Sequence, residues 1–159
     1  TWYFDKHLKW SGILIEPHPL KFKELIKNRD KKNIFINSAL IGNEYNKDKI
    51  SLVDNDMHSS ISNSNSNDDK KKILVKAVTL TEILKENKSP NLIDLFSLDV
   101  EGYEFEVLNG IDFNLFNFKY ILIETKNNEV INFLKNKNYI YIKKLSYHDH
   151  LLKFNSELI

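Results

Sequence analysis

Acidic side chains follow several short apolar segments of this 159-residue chain. Asp99 and Glu101 stand after one such segment, and Glu16 and Glu124 each close another. In open sheets of parallel strands, ligands bind beyond the carboxyl ends of the strands, so these acids are the first candidates for a functional site. Carboxylates at that place can bind a divalent ion, orient a hydroxyl group or take its proton.

The pair Asp99 and Glu101 is separated by one residue. If a strand continues through both, the two side chains point to the same side, and Gly102 then allows a sharp turn into a helix. The simpler alternative is that Glu101 or Glu104 stabilises the N-terminus of that helix through its dipole, which is the favoured interpretation for Glu104. Position alone does not separate these roles for Asp99.

Glu16 is followed by a turn-like Pro-His-Pro segment. An acid just past a strand of a nucleotide-binding half can accept hydrogen bonds from both hydroxyls of a ribose. The alternative is a turn carboxylate that caps the next helix or is solvated. Because an apolar strand that ends in an acid is common, position alone favours this alternative.

Apolar runs that predict strands alternate with segments that predict helices. Strands are predicted over residues 12–16, 34–40, 50–53, 73–78, 92–100, 120–124, 139–142 and 151–154, and helices over 20–29, 79–87, 103–109 and 128–137. The Thr79 and Glu82 spacing is that of a capping box. This order predicts an α/β fold with an open, mostly parallel sheet covered on both faces and an antiparallel C-terminal hairpin.

The length and the 42% hydrophobic content predict one domain over residues 1–159 with a single core. Residues 55–72 are rich in Ser, Asn, Asp and Lys, cannot bury a core, and are expected to form a mobile polar loop.

Composition excludes several function classes. The net charge of +1 and the single arginine, Arg29, argue against a nucleic-acid partner. The lack of cysteine excludes disulfides, thiolate zinc sites and cysteine nucleophiles. No apolar run approaches the roughly 20 residues of a membrane span, so we expect a soluble, cytoplasmic protein.

Five segments, taken together and in order, resemble the FkbM family of S-adenosylmethionine-dependent methyltransferases. They are residues 12–19 (Gly-Ile-Leu-Ile-Glu-Pro-His-Pro), 37–40 (Asn-Ser-Ala-Leu), 75–80 (Val-Lys-Ala-Val-Thr-Leu), 98–110 with Leu-Asp-Val-Glu-Gly-Tyr-Glu, and 121–124 (Ile-Leu-Ile-Glu). The resemblance implies a Rossmann-like class I methyltransferase fold, S-adenosylmethionine as cofactor, and O-methylation of a sugar, polyketide or other hydroxylated small molecule.

The resemblance also implies roles for particular residues. Glu16, with Pro17, resembles the ribose-binding acid; Ser38 and Ala39 are similar to positions beside the adenine; Asp99 and Glu101 resemble the acidic motif that faces methyl transfer. No metal ligand is implied.

The front of the chain departs from the family pattern. Such domains begin with a strand and a glycine-rich turn that approaches the methionine part of the cofactor, and no such element precedes Gly12. Residues 2–8 instead resemble the helix after that turn, and no Met begins the chain. The expectation is therefore a partial domain that lacks the first strand and glycine loop, in preference to a domain that has lost its cofactor cradle. His58 and the serines after it resemble a stretch near the active-site mouth, although a histidine in a polar loop is more often solvated.

Two other functions use the same residues. A metal-dependent, glycosyltransferase-like enzyme could hold a nucleotide sugar through an Asp-x-Glu motif, but the segments around Glu16 and Ser38 do not support it. A non-catalytic Rossmann-like module is the other alternative. Dinucleotide oxidoreduction fits least, because no G-x-G-x-x-G sequence follows a strand.

Overall fold

The computed structural model describes residues 1–53, 60–61 and 72–155. The chain forms two compact units, one made of residues 1–40 and 45–78, the other of residues 41–44 and the chain from residue 79 onward. His58 and most of the polar loop predicted over 55–72 lie outside the described residues. The exceptions are a short strand at Ser60–Ile61 and Lys72, which begins a longer strand.

The first unit contains two helices and six strands within the described ranges. They are α1 (Trp2–Lys6), β1 (Ile13–Ile15), α2 (Pro19–Asn28), β2 (Ile34–Ile36), β3 (Ala39–Leu40), β4 (Lys49–Val53), β5 (Ser60–Ile61) and β6 (Lys72–Val78). β1 and β2 form a parallel pair, whereas the others form a sheet in the order β3-β6-β4-β5. In that sheet β3 runs parallel to β6, and β4 is antiparallel to both its neighbours.

The helix α2 begins where local chemistry predicts it. Pro19 takes the first position, where its fixed φ suits a helix and its missing N–H costs nothing. Nδ1 of the preceding His18 accepts the backbone N–H of Leu20 at 3.2 Å. The turn between β1 and α2 is thereby fixed, and with it the direction in which the chain leaves β1.

The single strand predicted over 34–40 is divided in the structure. β2 pairs with β1, and β3 pairs with β6 in a different sheet. The break falls at Asn37 and Ser38, where the amide of Asn37 donates to the carbonyls of Glu16 and Pro17 instead of continuing a ladder. Asn37 and Ser38 interrupt the apolar pattern, but two polar residues do not reveal that the next strand joins a different sheet.

The second unit has seven elements in its described part. They are α3 (Leu80–Glu86), β7 (Leu92–Leu98), α4 (Glu104–Asn109), β8 (Asn117–Glu124), α5 (Asn128–Asn136), β9 (Tyr139–Lys144) and β10 (Asp149–Phe154). Their sheet has the order β7-β8-β10-β9, with β7 and β8 parallel and β10 antiparallel to both β8 and β9.

The core of this unit lies around β8. Ile121 and Ile123 of β8, Val107 and Leu108 of α4 and Leu134 of α5 are all fully buried. α4 ends at Gly110, where a Cβ would collide with the carbonyl oxygen of Ile41. This packing fixes the carboxyl ends of β7 and β8 beside the starts of α4 and α5.

The protein is thus a mixed α/β chain, as the alternating pattern predicts. The expected single, mostly parallel sheet differs from the described strands, which form three sheets with three parallel and four antiparallel pairings. The antiparallel pairings come from β4, which reverses direction against β6, and from β10, which returns between β8 and β9. Within the described part of the chain, none of the helices has the length and apolar character needed to cross a membrane.

Candidate active site

A cleft of about 330 Å³ opens in the second unit, beyond the carboxyl ends of β7 and β8. Polar and charged side chains dominate its lining, among them Asp99, Glu101, Glu104, Glu124, Asn127 and His148. Three of the four acids singled out by their position after apolar segments therefore meet in one place. The cleft is the candidate active site.

A wider groove, of about 820 Å³, lies at the opposite end of the same sheet, where β8 begins and α5 ends. Asparagines and two lysines, Lys85 and Lys137, account for much of its lining, with Asp112 as its acid. Asp112 accepts the backbone N–H of Asn114. The groove is larger than the cleft, but it lacks the group of carboxylates found there. The smaller cleft is therefore the better candidate for the active site.

Strand register brings Asp99 and Glu124 together. β7 and β8 are parallel, and Leu98 lies opposite Ile123. Asp99 follows Leu98, and Glu124 follows Ile123. The two acids therefore lie side by side at the carboxyl ends of the paired strands. Neither a helix nor a loop has to move to make these carboxylates neighbours.

The turn after β7 differs from the expectation that the strand continues through Asp99 and Glu101. The strand ends at Leu98, and Glu101 and Gly102 have φ values of 51° and 94°. Asp99 and Glu101 therefore both line the cleft because of a tight turn, and not because side chains alternate along a strand. A glutamate in the left-handed region costs on the order of 1 kcal/mol, which packing around the turn has to offset.

Glu104 stabilises this turn. Its side chain is buried at the first position of α4, and Oε1 accepts the N–H of Gly102 at 2.7 Å. This agrees with the favoured interpretation of Glu104 as a helix-start residue. One oxygen of its carboxylate is thus engaged inside the protein.

The charges around the cleft raise the pKa of Glu124. The largest cause is the negative charge of Asp99, followed by burial, by Asp149 and by Glu101, while His148 acts in the opposite direction. Like charges close together disfavour a further ionisation. Glu124 therefore holds a proton more tightly than an isolated glutamate.

The turn before β10 supplies the other wall of the cleft. The N–H of Thr125, which follows β8, donates to the carbonyl of His148 at 2.9 Å. Ser146 fixes this turn, since its hydroxyl donates to the carboxylate of Asp149 and its oxygen accepts the N–H of His148 at 3.3 Å. His148 was not predicted as a site residue, because only the pairing of β10 with β8 brings the turn here, and its sequence signal is that of an ordinary polar connection.

In the first unit, Glu16 is held at the end of β1. Its Oε1 accepts the N–H of His18 at 2.8 Å, and its backbone carbonyl accepts the amide of Asn37, also at 2.8 Å. This is the bonding of a turn carboxylate, the simpler of the two interpretations. Among the residues that the structure describes, Oε2 has no hydrogen-bond partner, and the side chain is only half-buried.

Ser38 and Ala39 lie in the first unit as well. Both are buried, and Ala39 pairs with Ala77 of β6. Their small side chains therefore pack in the interior. The predicted residues thus form two groups: Asp99 and Glu101 in the second unit, and Glu16, Pro17, Ser38 and Ala39 in the first.

Within residues 1–53 and 72–155, no group of three or more His, Asp or Glu side chains has an arrangement that could hold a metal ion. This includes the acids of the cleft. Their chemistry has to be considered as that of carboxylates without a resident metal site among the described side chains.

The described chain is mixed α/β, with a cleft beyond the carboxyl ends of two parallel strands, where open sheets of this kind bind ligands. The family model of the Methyltransferase FkbM domain matches residues 1–141. The chain belongs to this FkbM methyltransferase family, and the resemblance inferred from its five segments is confirmed. No curated protein and no solved structure matches it. Family membership makes methyl transfer its class of reaction.

Proposed function

We propose that the protein transfers a methyl group from S-adenosylmethionine to a hydroxyl of a sugar or other small molecule. The family match supports methyl transfer, and the observation that carries the hydroxyl acceptor is the cleft in which Asp99, Glu101 and Glu124 gather. Carboxylates accept a hydrogen bond from a hydroxyl and can take its proton.

Several features of the chain favour a Rossmann-like class I fold. The segments β1-α2-β2 and β7-α4-β8 are each a strand, a helix and a parallel strand. The antiparallel pair β9 and β10 ends the described chain, as that fold class is expected to end. The proposal is that these are parts of one such architecture.

Glu16 is the residue proposed to hold the cofactor's ribose. Its carboxylate is oriented by the N–H of His18, and Oε2 is available within the described chain. Pro17 fixes the adjoining turn, and Ser38 and Ala39, being small, allow an adenine to approach the backbone after β2. These residues fit the group, which when bound supplies an activated methyl carbon on a sulfonium.

At the cleft, Asp99 or Glu101 is proposed to orient the acceptor hydroxyl by accepting its hydrogen bond. Alignment is the main demand of an in-line displacement, in which the attacking oxygen is held roughly 3 Å from the methyl carbon. Glu124, whose pKa is raised by the charge of Asp99 and by burial, is proposed to take the proton. No covalent intermediate with the protein is required.

Cofactor binding is tested by calorimetric titration with S-adenosylhomocysteine. In the full-length protein, we expect the wild type to bind and Glu16→Gln to weaken the affinity, whereas Glu24→Gln, an exposed glutamate on α2, leaves it unchanged. Unaltered affinity in Glu16→Gln would remove Glu16 from the proposal. Absence of binding by the wild-type protein would favour the non-catalytic alternative.

The catalytic assignment is tested with Asp99→Asn. We expect a loss in kcat of about 100-fold, the size associated with a reacting group that is no longer held in place. Asp94→Asn is the control, since Asp94 lies exposed on β7, the strand that ends just before Asp99, and forms a surface ion pair with Lys119. Full transfer by Asp99→Asn, with unchanged kinetics, would exclude the role given to this residue.

A further inference from the structure

We propose that Asn37 is a positioning residue for the cofactor, which acts by fixing the turn that carries Glu16. The inference rests on the proposed function, because it assumes that Glu16 meets the ribose. Asn37 has no assigned role in that function, although it begins one of the segments that resemble the family.

Asn37 extends the pairing of β1 and β2 beyond its last backbone bond. That bond joins the N–H of Glu16 to the carbonyl of Ile36 at 3.1 Å. The side-chain nitrogen of Asn37 then donates to the carbonyl of Glu16 at 2.8 Å and to that of Pro17 at 3.0 Å. An amide nitrogen has two hydrogens, so a single side chain satisfies both carbonyls.

The two bonds fix the backbone on either side of the Glu16–Pro17 peptide. Proline has no N–H to donate to the ladder, so at Pro17 only the carbonyl can take part, and it accepts the amide of Asn37. One residue further on, the N–H of His18 holds Oε1 of Glu16 at 2.8 Å. With the carbonyls anchored at one side and Oε1 at the other, Oε2 keeps a fixed direction.

A fixed carboxylate binds a ribose with a smaller loss of conformational freedom than a mobile one. Asn37 itself is exposed, so its side chain is not needed to fill the core. Its two hydrogen bonds instead order a surface turn, and that turn carries the carboxylate of Glu16. This combination favours a positioning role over simple stabilisation of the fold.

Asn91 provides a matched control. Its amide donates to the carbonyl of Leu115 at 2.9 Å, which is the same kind of link between chain segments. Asn91 is exposed as well, but it lies in the second unit and has no bond to the turn that carries Glu16. Asn91→Ala therefore reports the effect of losing such a link elsewhere.

The test is calorimetric titration with S-adenosylhomocysteine, with thermal unfolding measured on every variant. We expect Asn37→Ala to bind about 5-fold or more weakly, the effect of losing roughly one ordinary hydrogen bond. The double variant Glu16→Gln/Asn37→Ala should bind no more weakly than Glu16→Gln alone, because Asn37 acts through Glu16. Asn91→Ala should keep the wild-type affinity.

The outcomes separate the inference from the function on which it rests. Wild-type affinity in Asn37→Ala, or losses that simply multiply in the double variant, would overturn the role of Asn37 and leave the proposed function intact. Lack of binding by the wild-type protein would overturn both. If Asn37→Ala does not fold, Asn37→Ser keeps a small polar side chain with a single hydrogen to donate, so at most one of the two bonds can remain, and it should also bind more weakly than the wild type.

Discussion

The carboxylates of Asp99 and Glu124 are neighbours that cannot ionise independently. Both leave a parallel strand at the same level, and the charge of Asp99 is the largest cause of the raised pKa of Glu124. A raised pKa makes a carboxylate more able to accept a proton near neutral pH, which is the property a general base needs. This property suits a site in which one carboxylate orients a hydroxyl and another accepts its proton.

Asp99→Asn is expected to lower the pKa of Glu124 toward its ordinary value, because the substitution removes the charge that raises this pKa most. The measurement is a pH titration of the Glu124 side-chain carboxyl carbon by NMR. Asp94→Asn, on β7 but outside the cleft, should leave the titration unchanged. An unaltered midpoint in Asp99→Asn would mean that burial and the other acids, Asp149 and Glu101, raise the pKa without Asp99.

The same shift predicts a pH dependence of stability. The pKa of Glu124 is raised in the folded protein, so the folded state binds this proton more tightly than the unfolded state does. Its contribution to the free energy of unfolding is complete below the ordinary glutamate pKa and is lost as the pH rises through the raised pKa. In Glu124→Gln this loss should be absent, which denaturant unfolding at several pH values would measure; identical pH profiles would contradict it.

For single residues, the acids of the cleft could be predicted from the sequence, whereas the groups that contact them could not. An acid after an apolar run is visible in the sequence, so Asp99, Glu101 and Glu124 could be selected. The fixed turn at Glu101 and Gly102, the bond from Gly102 to Glu104 and the approach of His148 all depend on tertiary packing.

The start of helix α3 agrees with the capping pattern predicted from the sequence. The hydroxyl of Thr79 accepts the N–H of Glu82 at 3.2 Å, and Oε2 of Glu82 accepts the N–H of Thr79 at 2.9 Å. Both halves of the predicted capping box are therefore present. Residues three apart in the sequence form it, which is why it could be predicted.

Thr79→Ala should lower the free energy of unfolding by about 1 kcal/mol, since the start of α3 loses its side-chain cap. Chemical denaturation of the purified protein measures this. Thr79→Ser keeps the hydroxyl and is the control, expected near wild type. Equal losses in both variants would show that the methyl group, and not the cap, matters.

The link between β9 and β8 is a contact that the sequence does not predict. Tyr139 is buried at the start of β9, and its hydroxyl oxygen accepts the N–H of Phe118 at 2.9 Å. Burial raises the pKa of Tyr139 to about 12, with the bond from Phe118 acting in the opposite direction. The hydroxyl therefore stays neutral at physiological pH.

Tyr139→Phe should destabilise the protein by about 1–3 kcal/mol, because the N–H of Phe118 is left buried without a partner. Thermal or denaturant unfolding provides the measurement. Tyr141→Phe on the same strand is the control: Tyr141 is exposed, its hydroxyl lies 3.0 Å from Nδ1 of His150, and its loss should cost less than about 0.5 kcal/mol. Similar losses in the two variants would contradict the role given to the buried bond.

At the scale of the molecule, the sequence predicted a mixed α/β chain and its family but not the grouping of its strands. Apolar runs show that a strand is buried without showing which strand lies beside it. The run over 34–40 illustrates this, since Asn37 and Ser38 divide it between two sheets. Family recognition did not need this detail, because it rests on short segments in order, and the family model matches them over residues 1–141.

The whole chain should be stabilised by its cofactor product if the proposed function is correct. A ligand that binds only the folded state adds about 2.7 kcal/mol at a free concentration of 100 times its Kd, so the melting temperature should rise with the concentration of S-adenosylhomocysteine. Glu16→Gln should need more ligand for the same rise, because its carboxylate no longer accepts the ribose hydroxyls. UDP-glucose with Mn²⁺ tests the nucleotide-sugar alternative and should cause no shift. The opposite pattern, stabilisation by UDP-glucose with Mn²⁺ and none by S-adenosylhomocysteine, would favour a metal-dependent glycosyltransferase-like function, although the family match argues against it.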